Sequence, residues 1–187
     1  MIHRPKIIVS CISGFTQHAD EMNGTMQAVL ETIGGNYGEC VRVDYFTWDD
    51  DLDGAAEFYH KAFPGVPHVI WGYSLGGEAA ATLANKLVDL GEPVHSVIVV
   101  DGVVSGWLRP WLWAFGKIKV CAEVGHVYSF IQRQDLPDGD KVVHGDKPVN
   151  QVEILHTNHN AIDEHYLPHE KLKTVIQGLQ AKYNKDS

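Results

Sequence analysis

Four short apolar runs, each followed by a segment of helical or turn character, constrain this chain more than any other feature. They are KIIVS at residues 6–10, CVRVDYF at 40–46, HVIWGY at 68–73 and VHSVIVV at 94–100. Several are almost continuous in Val and Ile. Strands covered on both faces read this way, whereas half-exposed strands alternate. Between them lies the 3.6-residue helical period. Residues 21–33 put Met22, Met26, Val29, Leu30 and Ile33 on one face and stop at Gly34-Gly35. Helices are also expected over 53–63, ending before Pro64-Gly65, and over 76–90, ending at Gly91. Two further strands are expected at 124–132 and 151–155, and a last helix from 169 to 183. Strand–helix alternation with buried strands implies an α/β architecture: a mostly parallel central sheet with helices on both faces. No repeat or linker interrupts 1–187, so one domain is expected.

Bulk properties narrow the partners. The 187 residues carry a formal net charge of -9, which disfavours nucleic acid and anionic membrane surfaces. No apolar run is long enough to span a bilayer, so no integral membrane segment is expected. The N-terminal MIHRPKIIVSC enters a strand directly, without the apolar core of a secretory leader. Cys11, Cys40 and Cys121 are odd in number, far apart and next to apolar residues. They read as free thiols in a reducing compartment, so a cytoplasmic location is expected, and they show no zinc-type spacing.

Ligands of parallel α/β sheets sit beyond the carboxyl ends of the strands, which directs attention to the polar residues there. After HVIWGY comes Gly72-Tyr73-Ser74-Leu75-Gly76, a G-x-S-x-G pattern between a strand and a helix. A sharp turn there projects the serine hydroxyl above the sheet. Side chains two residues before and two after it would clash, hence the glycines. A serine hydroxyl is a poor nucleophile until a base takes its proton, and that base is usually a histidine oriented by a carboxylate. His156 and His159 follow the last expected strand in VEILHTNHNAIDEH. His159 is preferred because it lies further into the loop, with Ala161-Ile162 behind it to pack and hold it. His156 is the alternative, and Asp163 is read as a helix cap or loop support. Two aspartates compete for the acid. Asp101 follows VIVV, where a carboxylate would be half-buried and in need of a partner, and Asp135 follows FIQRQ in a polar, turn-rich stretch.

These residues resemble the nucleophile elbow and triad of α/β-hydrolase-fold serine hydrolases, compact lipase-like esterases and thioesterase domains among them. The resemblance implies that fold with a minimal cap. Thioesterase domains commonly carry the acid after the strand following the nucleophile, which matches Asp101. Other members place it one strand later in a glycine-x-x-Asp turn, here Gln132-Arg133-Gln134-Asp135 without the glycine, so Asp101 is the preferred acid and Asp135 the alternative. An oxyanion hole is implied at the backbone N–H of Leu75 and at the loop CISGFTQHAD, with Phe15 the preferred second donor and Gly14 next. Tyr73, Trp107 and Trp111 are implied to line the substrate pocket, the tryptophans within the aromatic segment 107–115.

The expected activity is cleavage of a carboxylic ester or thioester, a small-molecule or acyl-ester substrate, through an acyl-enzyme, with no cofactor or metal. The same residues would serve an acyltransferase, and the fold alone would also suit a non-catalytic binding module. The acidic run from Asp49 through Asp51 and Asp53 to Gly54 has calcium-loop offsets, but position twelve is His60 rather than a glutamate. Helix capping is the preferred reading there.

Overall fold

The computed structural model describes residues 4–15, 40–105 and 116–185. The expected helix at 21–33 and the aromatic segment 107–115 lie outside them.

Strands β1 (Ile7–Ser13), β2 (Val41–Thr47), β3 (His68–Tyr73), β4 (Val94–Val100), β6 (His126–Ile131) and β8 (Asn150–Glu153) form one sheet in the order β2-β1-β3-β4-β6-β8. Every pairing in it is parallel. The central strands β1 and β3 are buried along their whole length, and β4 along nearly all of it. β-Branched residues suit such positions, because they pack on the pleat and contribute no polar groups to the interior. The outer strand β8 is exposed throughout.

Alternate side chains of the inner strands feed two cores. On one face Ile8, Ile12, Ile70, Val97 and Val99 pack against helices α1 (Leu52–Ala62) and α2 (Gly76–Asp89) through Leu52, Tyr59, Ala80, Leu83 and Leu87. On the other, Ile7, Val9, Val69, Trp71, Ile98 and Val100 meet helix α3 (Tyr166–Lys185) through Leu172, Val175, Ile176 and Leu179. Each large aliphatic side chain so buried contributes roughly 1.5–3 kcal/mol. Helices therefore cover both faces, as the continuous apolar strands require.

Several features depart from the sequence reading: the last strand ends at Glu153 rather than 155, and the last helix begins at Tyr166 rather than 169. β1 runs on to Ser13, because it pairs with β2 through Ser13↔Thr47. The strand expected from 124 starts at His126, since Val124 and Gly125 form a turn in which Gly125 N–H donates to the Val94 carbonyl. A parallel two-stranded ribbon, β5 (Lys117–Val120) with β7 (Lys141–His144), stands outside the main sheet. It lays Ile118, Val120 and Val142 on the core beneath α2. The acidic run is a helix start: the Asp51 carboxylate accepts from Gly54 N–H at 2.9 Å, capping α1. No helix among the described residues is long and apolar enough to cross a membrane.

Candidate active site

Because the strands are parallel, their carboxyl ends share one edge of the sheet. β3 ends at Tyr73 and α2 begins at Gly76, leaving Ser74 and Leu75 to make the turn. Ser74 has φ 54°, in the left-handed region that costs a non-glycine residue roughly 1–2 kcal/mol. Main-chain bonds hold it there. Ser74 N–H donates to the Val100 carbonyl at 3.0 Å, and its own carbonyl accepts from Gly77 and Val103, both at 2.9 Å. The two glycines of the pattern have separate duties. A Cβ on Gly72 would lie 2.0 Å from the Gly76 carbonyl oxygen, so this glycine lets the helix fold back on its own strand. A Cβ on Gly76 would lie 2.3 Å from the Ile12 carbonyl oxygen, so this one seats the helix against β1.

His159 lies in the loop after β8 and is buried. Its Nε2 is 2.9 Å from Ser74 Oγ, and its Nδ1 is 2.7 Å from Asp101 Oδ2. An ionised carboxylate only accepts, so Nδ1–H donates to Asp101, which leaves Nε2 to accept from the serine hydroxyl. The structure thus brings Ser74, His159 and Asp101 into one line of hydrogen bonds. His156, the alternative base, is exposed in the turn after β8.

Asp101 is fully buried, with φ 44°. A carboxylate in such a place needs donors, and it has four. Oδ1 accepts from Gln132 N–H at 3.2 Å and Gly139 N–H at 2.9 Å. Oδ2 accepts from Gln132 Nε2 at 3.0 Å and from the histidine. Asp135, the alternative acid, takes the histidine's main chain instead: its Oδ1 accepts from His159 N–H at 2.9 Å.

Tyr73, expected at the pocket wall, packs against His159. It is buried, its hydroxyl donates to the His159 carbonyl at 2.7 Å, and its ring lies 5.2 Å from the imidazole. Burial, aided by Asp163, Asp101 and Asp135, pushes its phenol well above the usual range, so the hydroxyl stays a donor. Asp163 is buried in a short 3-10 turn (Ile162–Glu164), where its carbonyl accepts from His169 Nε2. Trp107 and Trp111 lie outside the described residues.

The loop after β1 passes directly beside the serine, for a Cβ on Gly14 would lie 2.8 Å from Ser74 Cβ. Phe15 follows, half-exposed, with its ring 6.3 Å from Trp48. Leu75 sits at the N-terminus of α2. A cavity of about 440 Å³ lies elsewhere, at the sheet edge between β2 and α1, lined by Arg42, Asp44, Phe46, Phe58 and Tyr59. It includes none of the three aligned residues.

Sequence reasoning missed Gln132. It is fully buried and touches both aspartates. The available signal was an amide placed directly after the apolar end of β6, where a polar group must find partners.

Comparison with known proteins agrees with this architecture. The chain is similar to a putative hydrolase from Agrobacterium vitis S4 at 11% identity, with 95% of this chain and 90% of that one covered and a TM-score of 0.64. It is also similar to ClbQ from the colibactin NRPS/PKS pathway, at 11% identity over 94% and 98% of the two chains and a TM-score of 0.58. A third likeness is to the RedJ thioesterase of the prodiginine pathway in Streptomyces coelicolor, at 9% identity over 94% and 86% with a TM-score of 0.54. No family model and no curated protein matches the chain. With its parallel sheet, two helical layers and serine turn, the protein has the α/β-hydrolase fold.

Proposed function

We propose that this protein is a serine hydrolase that cleaves a carboxylic ester or thioester through an acyl-enzyme. The observation that carries the reading is the continuous relay from Ser74 Oγ through both nitrogens of His159 to the buried Asp101 carboxylate. Ser74 Oγ attacks the carbonyl carbon while its proton passes to His159 Nε2. The Asp101 carboxylate stabilises the imidazolium so formed. The oxyanion is held by the backbone N–H of Leu75 and that of Phe15, with Gly14 as the alternative second donor. The approach of Gly14 to Ser74 supports this placement of the loop. His159 then gives the proton to the departing alkoxide or thiolate as the carbon–oxygen or carbon–sulfur bond breaks. Water resolves the ester by the same steps: its proton goes to Nε2, its oxygen to the acyl carbon, and Ser74 leaves with the proton.

The test is covalent labelling joined to turnover. A fluorophosphonate should label Ser74, the label should vanish in Ser74→Ala, and p-nitrophenyl esters should be hydrolysed. Purified protein showing neither labelling nor turnover would sink the reading. Competing alcohols or amines in the same assay reveal whether water is the acyl acceptor.

A further inference from the structure

All four polar atoms of His159 are engaged, and only two of those contacts belong to the relay. Its main-chain N–H donates to Asp135 Oδ1 and its carbonyl accepts from Tyr73 Oη. The two partners come from different elements, the loop after β6 and the end of β3. Behind Asp135 stands Gln132. Its Oε1 accepts from the N–H groups of Gln134 and Asp135 at 2.7 and 3.1 Å. The two hydrogens of its Nε2 are shared among three acceptors, Asp101 Oδ2 at 3.0 Å, the Asp135 carbonyl at 3.1 Å and the Pro137 carbonyl at 3.0 Å. One buried amide therefore ties the carboxylate that meets the imidazole ring to the loop that holds the histidine's backbone.

Resting on the hydrolase reading above, we propose that Asp135 and Gln132 are positioning residues for His159, with Asp135 fixing the main chain of the base and Gln132 locking Asp135 and Asp101 into one frame. The two aspartates divide their work: Asp101 serves the ring and Asp135 the backbone. The chemistry of position 132 supports this. A side chain there must accept two N–H groups and donate to a carboxylate, which an amide does. A glutamate of the same shape would face Asp101 with a second negative charge and no donor. The environment of Asp135 separates positioning from folding. The residue is exposed, so its truncation opens no cavity in the core.

The experiment compares Asp135→Ala, Asp135→Asn and Gln132→Glu with wild type for kcat, KM and thermal unfolding on a p-nitrophenyl ester. Asp135→Ala should lower kcat by about 10- to 100-fold with KM nearly unchanged, the size expected when a reacting group shifts by a fraction of an ångström to one ångström. Asp135→Asn should recover most of that loss, because its amide oxygen still accepts from His159 N–H. Gln132→Glu should fall as far as Asp135→Ala while remaining folded. A wild-type kcat in Asp135→Ala, or a loss carried wholly by KM, overturns the proposal. So does equal damage in the Asn and Ala variants. A wild type without turnover or labelling overturns the hydrolase reading instead. The frame is then read by NMR from the downfield His159 Nδ1–H proton. It should broaden or shift in Asp135→Ala and stay sharp in Asp135→Asn, and an unchanged resonance in Asp135→Ala overturns the frame itself.

Discussion

Strand β3 has a buried histidine at each end, and the two live under opposite rules. His159, beyond its carboxyl end, meets Ser74 and Asp101 through its ring and Asp135 and Tyr73 through its main chain. His68, which begins the strand, is fully buried with neither ring nitrogen hydrogen-bonded. Its ring lies 5.0 Å from that of Tyr59, and it feels the charges of Glu92 and Asp44 through space. Glu92 is already engaged, accepting from Gly65 N–H and meeting His60 Nδ1, each at 2.6 Å. Burial pushes His68 down to about 4, against the weaker pull of those two carboxylates. Position in the sheet thus separates two identical side chains. At the carboxyl end, loops converge and can deliver donors and acceptors. At the amino end, the imidazole is enclosed by packing and stays neutral.

The comparison can be broken from the relay side first. Removing the proposed nucleophile in Ser74→Ala should cost roughly a millionfold in kcat, and Asp101→Asn, which spoils the tautomer while keeping the shape, roughly ten-thousandfold. Steady-state kinetics beside matched circular-dichroism spectra would check both. A near-normal kcat in Asp101→Asn would mean that this carboxylate does not serve the ring. A smaller effect is expected at Gly139. A Cβ there would lie 2.7 Å from Asp101 Oδ1, so Gly139→Ala must push the acid or lose the N–H that holds it. Its kcat should fall by about 10- to 100-fold, with stability reduced by about 1–3 kcal/mol on chemical denaturation. Wild-type kinetics in Gly139→Ala would show that the acid's cradle tolerates displacement.

The smallest effect on turnover, none, is expected at the other end of the strand. His68 has its folded value below its unfolded one, so the unfolded chain takes up the proton first as pH falls. Its contribution to stability is complete above pH 6.5 and is lost as pH falls toward 4. Across that window the wild type should lose up to about 3 kcal/mol that His68→Leu does not, read as the difference between their denaturation midpoints at each pH. The kcat of His68→Leu at neutral pH should equal that of wild type. Parallel pH profiles of stability for the two proteins would show that His68 is no acid-sensitive point.

Much of the fold was legible because it is written locally. HVIWGYSLGGEAA carries a buried strand, a turn and a helix within thirteen residues, and the structure places all three where the pattern implies. Both glycines act through contacts their spacing alone suggests. The β5–β7 ribbon was not legible. Its strands are four residues each, KIKV and KVVH, and pair across a long sequence gap, so even the alternation in KIKV is too short to mark a strand. Gln132 was missed for a related reason: its partners are an aspartate on another loop and main-chain groups of its own turn, which no spacing rule reveals.

The chain's own pattern determined the class of fold, the serine turn and the short set of histidines and aspartates that stand at strand ends, because apolar period and turn chemistry act within a few residues. Sequence context already favoured Asp101 and His159, but only the tertiary structure showed what Asp135 meets. Asp101 and Asp135 both follow parallel strands, and sequence position treats them alike. The loop after β6 folds over Asp101 and buries it among donors, which sets that carboxylate against the imidazole and leaves Asp135, on the exposed turn, the backbone N–H of the same histidine. That division depends on ångström distances between loops far apart in the chain.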